Sequence, residues 1–260
     1  MTLDSIVAVT RTRIAALHQR AGEVRRQAEN AAPPLAFLGV SGTVGIIAEI
    51  KRRSPSQGSI RADLEAVAHA QAYARGGAAA ISVLTDEVHF GGSLEDLARV
   101  ARAVRIPILR KDFIIDELQL LEALAAGASA VLLIARILTA AQLTALRRAA
   151  GALKLGTLVE VHDERELERA LAADPTAIGV NARDLDTFKL DQAGAERVIA
   201  RVPGNVITVA ESGLENRKDV ERVAKAGADF ALVGTSVARH ADPEKAVRAL
   251  VGVERQKRKS

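Results

Sequence analysis

Eight short apolar runs recur along the chain, and each is followed by a polar or glycine-containing turn and then by a stretch with helical periodicity. Several of the helical stretches begin with Asp, Ser, Thr or Asn and end with Gly, as capped helices do. The pattern therefore predicts eight strand-and-helix units in succession. The runs are "VGIIAEI", "AAISVL", "IPILR", "AVLLI", "GTLVEV", "AIGVN", "VITVAE" and "FALVG".

The runs are continuously apolar rather than alternating, which is typical of parallel strands in a sheet that helices cover. Eight such units predict a closed (β/α)8 barrel, or TIM barrel, over about residues 44–252. An open doubly wound sheet is the alternative, but no GxGxxG motif follows the first strand. We predict one α/β domain over residues 1–260, with an N-terminal helical extension over about 1–43 and a basic tail at 253–260.

Composition narrows the functional classes. The chain has 260 residues, of which 48% are hydrophobic and 2% are aromatic, so aliphatic side chains can fill a large core. A net charge of +4 suits an anionic substrate, but Lys and Arg are mixed with 32 acidic residues rather than clustered as in nucleic-acid-binding proteins. The basic run "ERQKRKS" at the C-terminus indicates a frayed, solvated end.

Several features are missing from the sequence. It has no cysteine, no apolar run long enough to cross a membrane and no signal-peptide pattern. Its histidines lack the spacing of a metal site, and we interpret His162, two residues after Glu160, as a helix-start residue although it can reach the barrel mouth. We therefore expect a cytoplasmic monomer that binds neither nucleic acid nor membrane and uses no metal or cofactor.

Polar side chains collect at the predicted C-terminal ends of the strands, where TIM-barrel active sites lie. Residues two apart on a strand face the same way, so Glu49 and Lys51 project together from the end of the first strand. Burying a charge is costly unless it is paired, so carboxylates and amines gathered at one mouth favour a functional site over a structural ion-pair layer. The set comprises Glu49, Lys51, Lys111, Glu160, Asn181, Arg183, Glu211 and Ser212.

A second group follows the last two strands. Gly213 follows the seventh strand, and Gly234, Thr235 and Ser236 follow the eighth, just before a short helix. Barrels often hold phosphate in these two loops, and Arg183 can add a guanidinium. The pattern predicts a small phosphorylated substrate, although glycine here is also compatible with ordinary turns.

An apolar pocket is predicted beside these polar groups. Phe90 and Phe113 fall in loops just beyond the second and third strands. Together with Leu132 and Leu185 they can wall a pocket large enough for an aromatic ring, although a loop phenylalanine can equally well cover its own core.

Six segments of the chain closely resemble the indole-3-glycerol phosphate synthase family, in order and at comparable spacing. They are "IIAEIKRRSPSQG", "VLTDEVHFGGSLEDL", "PILRKDFIID", "LVEVHDERELERAL", "IGVNARDLDTF" and "VAESGLENRKDV". The chain departs from the family at Ala182, where Asn or Ser is frequent, and in Gly-Thr-Ser at residues 234–236, where Gly-Glu-Ser is frequent.

The resemblance implies a reaction and roles for the residues. The substrate would be 1-(2-carboxyphenylamino)-1-deoxyribulose 5-phosphate, which closes to an indole with loss of CO2 and water. Lys111 would be the general acid, Lys51 would hold the anthranilate carboxylate, and Glu160 would be the base. Glu49 would keep the lysines charged, whereas Asn181, Glu211 and Ser212 would position the ribulose hydroxyls, and Ser54 and Ser56 would contact substrate from the loop after the first strand.

Three alternatives to this function have their own sequence signatures. Phosphoribosylanthranilate isomerase is also a phosphate-binding barrel, but that family relies on a cysteine base, which this chain lacks. A Schiff-base aldolase would use a buried lysine amine. A non-catalytic polyanion-binding barrel would explain the basic pI but not three inward carboxylates. The division of labour between the two lysines stays open.

Overall fold

The computed structural model describes residues 3–256 and 258. Eight of its strands are parallel and close into a barrel, in the order β1, β4, β5, β6, β7, β8, β9, β10 and back to β1. The TIM-barrel prediction is therefore confirmed. The strands are β1 (Gly45–Ile50), β2 (Arg53–Ser54), β3 (Gly58–Ser59), β4 (Ala80–Leu84), β5 (Ile108–Lys111), β6 (Ala130–Ile134), β7 (Gly156–Val161), β8 (Ala177–Asn181), β9 (Ile207–Glu211) and β10 (Phe230–Val233).

Helices surround the barrel and also form the N-terminal extension. Side chains of Asp, Ser, Thr or Asn accept backbone N–H bonds at the start of many of them, as the sequence predicts. The helices are α1 (Leu3–Gln19), α2 (Ala21–Glu29), α3 (Ala66–Arg75), α4 (Glu87–Phe90), α5 (Leu94–Ala103), α6 (Glu117–Ala125), α7 (Ala140–Ala152), α8 (Glu164–Ala172), α9 (Gln192–Arg201), α10 (Arg217–Ala226), α11 (Thr235–Arg239) and α12 (Pro243–Arg248).

Alternation along each strand separates two apolar layers. In β1, Ile46, Ala48 and Ile50 pack into the layer between strands and helices, whereas Ile47 packs into the smaller cluster inside the barrel. Since side chains two apart share a face, the residues that follow Ile47 on its side are Glu49 and then Lys51. The barrel interior is thus apolar below and charged at the C-terminal mouth.

The N-terminal extension contains two helices rather than one, because the chain turns at Arg20 between α1 and α2. Arg13 of α1 donates to Asp112 at the end of β5 and lies 3.5 Å from Asp86. Phe37 is buried against the start of β7, where a Cβ on Gly156 would lie 2.7 Å from the Phe37 Cβ. The extension therefore contacts both ends of the barrel.

The expectation of a frayed, solvated C-terminal tail is wrong for Val253, Arg255 and Arg258, whereas Glu254 and Gln256 are exposed. Val253 is buried, and Glu254 forms an antiparallel bridge with Thr43. Arg255 Nη1 and Arg258 Nη2 pair with the two carboxylate oxygens of Asp229 at 2.6 and 2.9 Å. The arginines pair with Asp229 because this carboxylate, only 3% exposed, needs countercharge that water cannot supply there.

Replacing Asp229 by Asn should lower the free energy of unfolding by about 3 kcal/mol, because it leaves two guanidinium groups without their buried partner. Urea unfolding followed by circular dichroism measures the change. Asp174→Asn is the matched control, since Asp174 also pairs with an arginine, Arg147, but its side chain is 91% exposed. The control should change the unfolding free energy by less than about 0.5 kcal/mol. An equally small change for Asp229→Asn would contradict a stabilising role for the pairing of Asp229 with Arg255 and Arg258.

None of the described helices has the length and apolarity that crossing a lipid bilayer requires.

Candidate active site

A cavity at the C-terminal mouth of the barrel gathers the predicted site residues, with one exception. All eight barrel strands or the loops that follow them contribute to its wall. The predicted residues that line it are Glu49, Lys51, Ser54, Ser56, Phe90, Lys111, Phe113, Leu132, Glu160, Asn181, Arg183, Leu185, Glu211, Ser212, Gly213, Gly234 and Thr235.

The exception is Ser236, which does not line the cavity. It is the second residue of α11, and a helix rotates by about 100° per residue, so its side chain diverges from that of Thr235. Its hydroxyl is buried without a hydrogen-bond partner among the described residues. Of the two hydroxyl residues that follow β10, Thr235 is therefore the one that lines the cavity.

Three carboxylates and two ammonium groups form a compact charged cluster in the cavity. Lys51 Nζ lies 2.7 Å from Glu49 Oε1, and Ser82 Oγ donates to Glu49 Oε2 at 3.2 Å. Lys111 Nζ lies 3.4 Å from both Glu160 Oε2 and Glu211 Oε2. Lys111 therefore bridges two carboxylates that project from β7 and β9.

Burial and mutual charge give these groups different protonation states. Burial raises the pKa of Glu49, but Lys51 and Lys111 outweigh it and hold the pKa below its ordinary value. Burial raises the pKa of Glu211 to about 8, because Glu160 and Glu49 add to it and Lys111 compensates only in part. Burial lowers the pKa of Lys111, but Glu211 and Glu160 raise it well above its ordinary value. At pH 7 Lys111 is therefore a charged ammonium group and Glu211 is a neutral carboxylic acid.

Two glycines make room for the cluster. A Cβ on Gly179 would collide with Glu211 Oε1, and a Cβ on Gly234 would lie 2.7 Å from Glu49 Oε1 and 2.9 Å from Lys51 Nζ. Sequence reasoning missed Gly179, although a glycine inside a strand signals a close approach. It assigned Gly234 to phosphate binding or to an ordinary turn, whereas the structure gives this glycine a packing role beside the Glu49–Lys51 pair.

The loops after β8, β9 and β10 form a second wall, which we call anion-facing because it carries Ser212, Gly213, Gly234, Thr235 and the Arg183 guanidinium, which has no carboxylate partner in the described part of the chain. Ser212 and Gly213 both have left-handed backbone conformations, with φ of 68° each, in the turn that follows Glu211. Arg183 donates from Nη1 to the Phe188 carbonyl at 2.9 Å. Burial lowers the pKa of Arg183, and no carboxylate of the described residues compensates for it. The guanidinium is therefore half-buried without countercharge, which suits a bound anion.

An apolar wall lies on the other side of the barrel, after β4, β5 and β6. The rings of Phe90 and Phe113 are 6.3 Å apart and tilted by 38°, Leu132 of β6 belongs to the same cluster, and Leu185 packs against this cluster from the loop after β8. Phe90 ends a short helix rather than lying in a loop, because the Asp86 side chain accepts the N–H groups of His89 and Phe90. The cavity thus has an apolar side and an anion-facing side with charge between them.

The loop after β1 forms a small hairpin, β2–β3, that the sequence did not predict. Ser54 and Ser56 lie on it with their hydroxyl oxygens 3.4 Å apart. Arg52 pairs with Asp96 at 2.5 Å, and Arg53 donates to the carbonyls of Glu87 and Val88. The arginines hold the hairpin while the serines face the cavity.

The family model for indole-3-glycerol phosphate synthase matches residues 3–250. A relative of that name from Leptospira interrogans is 50% identical over 206 residues, which covers 79% of this chain and 81% of the relative. Another, from Mycolicibacterium smegmatis, is 44% identical over 253 residues, covering 96% of this chain and 93% of the relative.

Among solved structures, thiamine phosphate pyrophosphorylase from Pyrococcus furiosus is similar with a TM-score of 0.61 at 18% identity, over 80% of this chain and 93% of that one. At that identity the likeness shows the barrel fold alone. The match of the family model over nearly the whole chain, together with the relatives that share its name, shows that the chain belongs to the indole-3-glycerol phosphate synthase family.

Proposed function

We propose that the enzyme closes 1-(2-carboxyphenylamino)-1-deoxyribulose 5-phosphate to indole-3-glycerol phosphate, a step of tryptophan biosynthesis, with Lys111 as general acid and Glu160 as general base. The position of Lys111 is the observation that carries the assignment. Its Nζ atom lies 3.4 Å from a carboxyl oxygen of both Glu160 and Glu211, between the apolar wall and the anion-facing wall of the cavity. The substrate has the same order of parts: an aromatic ring, a sugar carbonyl and a phosphate.

The first chemical step forms a carbon–carbon bond. The ring carbon that bears the carboxylate attacks the ribulose carbonyl, and Lys111 donates a proton to the carbonyl oxygen as it becomes a hydroxyl. The carboxylate then leaves as CO2, and its bonding electrons restore the aromatic ring. Lys111 suits this work because the raised pKa of its amine keeps the proton available at neutral pH until the oxygen becomes basic.

The second step removes water. Glu160 accepts a proton from the ring-closed intermediate while the new hydroxyl leaves with a proton from Lys51, and the double bond of the indole forms. Burial raises the pKa of Glu160, but Lys111 and His162 outweigh it and keep it below its ordinary value, so the carboxylate is ready to accept a proton. Before this step, Lys51 pairs with the substrate carboxylate. Glu49 holds the lysine in place, with its Oε1 atom 2.7 Å from Lys51 Nζ.

The remaining polar groups position the substrate. Asn181, Ser212 and neutral Glu211 face the cavity where the ribulose hydroxyls would lie. Ser54 and Ser56 on the hairpin would contact the phosphate side, together with the backbone of Gly213 and Gly234 and the Thr235 hydroxyl.

Replacing Arg183 by Met should raise KM about 10- to 100-fold and change kcat little, because the guanidinium binds the phosphate equally in the ground and transition states. Steady-state kinetics measures both constants. Arg201→Met is the matched control, since Arg201 on α9 is exposed and pairs only with Glu164 among the described residues. An unchanged KM for the Arg183 variant would argue against the phosphate contact.

A Schiff-base aldolase is the alternative that the site itself disfavours. Imine formation needs a neutral amine, whereas the surrounding glutamates raise the pKa of Lys111 and keep its amine charged. Borohydride added during turnover should leave the mass of the protein unchanged, and a reduced lysine adduct would favour the aldolase.

The reaction itself is tested with substrate that carries ¹³C in its carboxylate. The proposal requires one equivalent of labelled bicarbonate for each indole formed, and product without labelled bicarbonate would refute it. Three expectations stay predictions: that the protein is a monomer, that it is cytoplasmic, and that residues 1–260 form a single domain.

A further inference from the structure

His162 lies beside the proposed base. It continues the inward face of β7, two residues beyond Glu160, and its side chain is 5% exposed. Its Nε2 atom is 3.6 Å from Glu160 Oε1, and both atoms are buried without a hydrogen-bond partner among the described residues. Two unsatisfied polar atoms that face each other in a buried place indicate a contact that a small movement completes.

The other side of the imidazole is fixed by a second carboxylate. Glu166 on α8 has Oε2 3.1 Å from His162 Nδ1, and the same oxygen accepts the His162 backbone N–H at 2.8 Å. Burial raises the pKa of Glu166, but His162 and Arg136 outweigh it and lower it to about 2, so the group is a carboxylate at any working pH.

The same line of contacts continues to the loop that carries the phosphate-side arginine. Arg136 Nε donates to Glu166 Oε1 at 2.8 Å, and Arg136 Nη1 donates to Asp184 Oδ2 at 2.9 Å. Asp184 is the neighbour of Arg183 in sequence. The imidazole is therefore held by a network rather than by a single contact.

Only a doubly protonated ring can donate to both carboxylates that flank it. A neutral imidazole has one N–H, so it would turn a nitrogen lone pair toward one of the two carboxylates. The doubly protonated ring presents an N–H to Glu166 and another to Glu160. The arrangement of acceptors on both sides thus favours the imidazolium.

We propose that His162, held as an imidazolium on Glu166, is the positioning residue of Glu160: it binds Oε1 of that carboxylate and leaves Oε2 facing Lys111 and the substrate proton. The inference rests on the proposed function, because it concerns the base of that reaction. His162 itself does not line the cavity, and it acts through Glu160.

The role has a consequence for pH dependence. Glu160 is faced by Lys111 from β5, by Glu211 from β9, by Asn181 from β8 and by His162, which directly follows β7. Removing the imidazolium takes away one of the two cations that stabilise the Glu160 carboxylate. The pKa of Glu160 must then rise, and the base is lost at a higher pH.

The test measures kcat and KM against pH for the wild-type enzyme and for His162→Gln, which keeps a neutral donor but no charge. The acidic limb of kcat should move to higher pH by about one unit, with KM at the optimum within about twofold. Glu166→Gln should move the limb in the same direction, because it removes the carboxylate that holds the imidazolium. His18→Gln, at an exposed position on α1, is the control and should overlay the wild type.

A limb that stays in place while kcat falls equally at every pH would reduce His162 to a packing role and overturn the proposal. A selective rise in KM would also overturn it. If His162→Gln does not fold, the Glu166→Gln profile decides, and an unmoved limb there refutes the role. No turnover by the wild-type enzyme would instead refute the proposed reaction.

Discussion

Replacing Lys111 by Met is expected to lower kcat about a thousandfold, while the affinity for substrate stays within about threefold. The variant loses the proton donor to the carbonyl oxygen. It also leaves Glu49, Glu160 and Glu211 with Lys51 as the one remaining cation of the described cluster, so the pKa of Glu160 rises and less of Glu160 is ionised to act as base. Acid and base function are therefore lost together.

Methionine keeps the length of the lysine chain and fills the same space, which limits the change to charge and proton. The rate is measured by product fluorescence, and affinity by calorimetry with an analogue whose carbonyl is reduced to an alcohol. Lys218→Met, at an exposed position on α10, is the matched control and should keep the wild-type rate. A Lys111 variant with more than a tenth of the wild-type kcat would contradict the assignment of the acid.

Glu160→Gln is expected to lower kcat about a hundredfold or more with little change in KM, because glutamine keeps the shape of the base but cannot accept a proton. The exposed Glu164→Gln on the neighbouring helix α8 provides the control. Rates at saturating substrate measure the effect, and a loss of less than about fivefold would remove Glu160 from the role of base.

Glu211→Gln makes the same chemical change as Glu160→Gln at a neighbouring carboxyl group, so the two variants can be compared directly. With a pKa of about 8, Glu211 is already neutral at pH 6, and glutamine resembles the neutral acid. The loss of kcat at pH 6 should therefore be at least about tenfold smaller than for Glu160→Gln. As the pH rises through about 8, Glu211 ionises in the wild type but not in the variant, so the wild-type rate should fall there relative to the variant; equal pH profiles would contradict this.

Much of the fold and the site follows from local patterns. Continuous apolar runs predicted the eight barrel strands, because burial on both faces excludes polar residues from their middles. Alternation at the end of β1 predicted that Glu49 and Lys51 project together, and their ion pair is observed.

The remaining features depend on neighbours distant in sequence. The sequence of the tail shows its basic charge but not its partner. That partner is Asp229, which directly precedes β10 and lies more than 20 residues away along the chain. Gly179 differs from an ordinary strand glycine only through Glu211 of the adjacent strand. His162 precedes the N-cap of α8, as the helix-start interpretation predicts, but its approach to Glu160 depends on the period of two that aims both side chains inward.

The decisive experiment for the proposed reaction is incubation of the enzyme with 1-(2-carboxyphenylamino)-1-deoxyribulose 5-phosphate while indole fluorescence is followed. Emission should rise at a rate proportional to the concentration of wild-type enzyme, and the rise should nearly vanish with Lys111→Met. No rise with the wild-type enzyme at high concentration would contradict the proposed reaction.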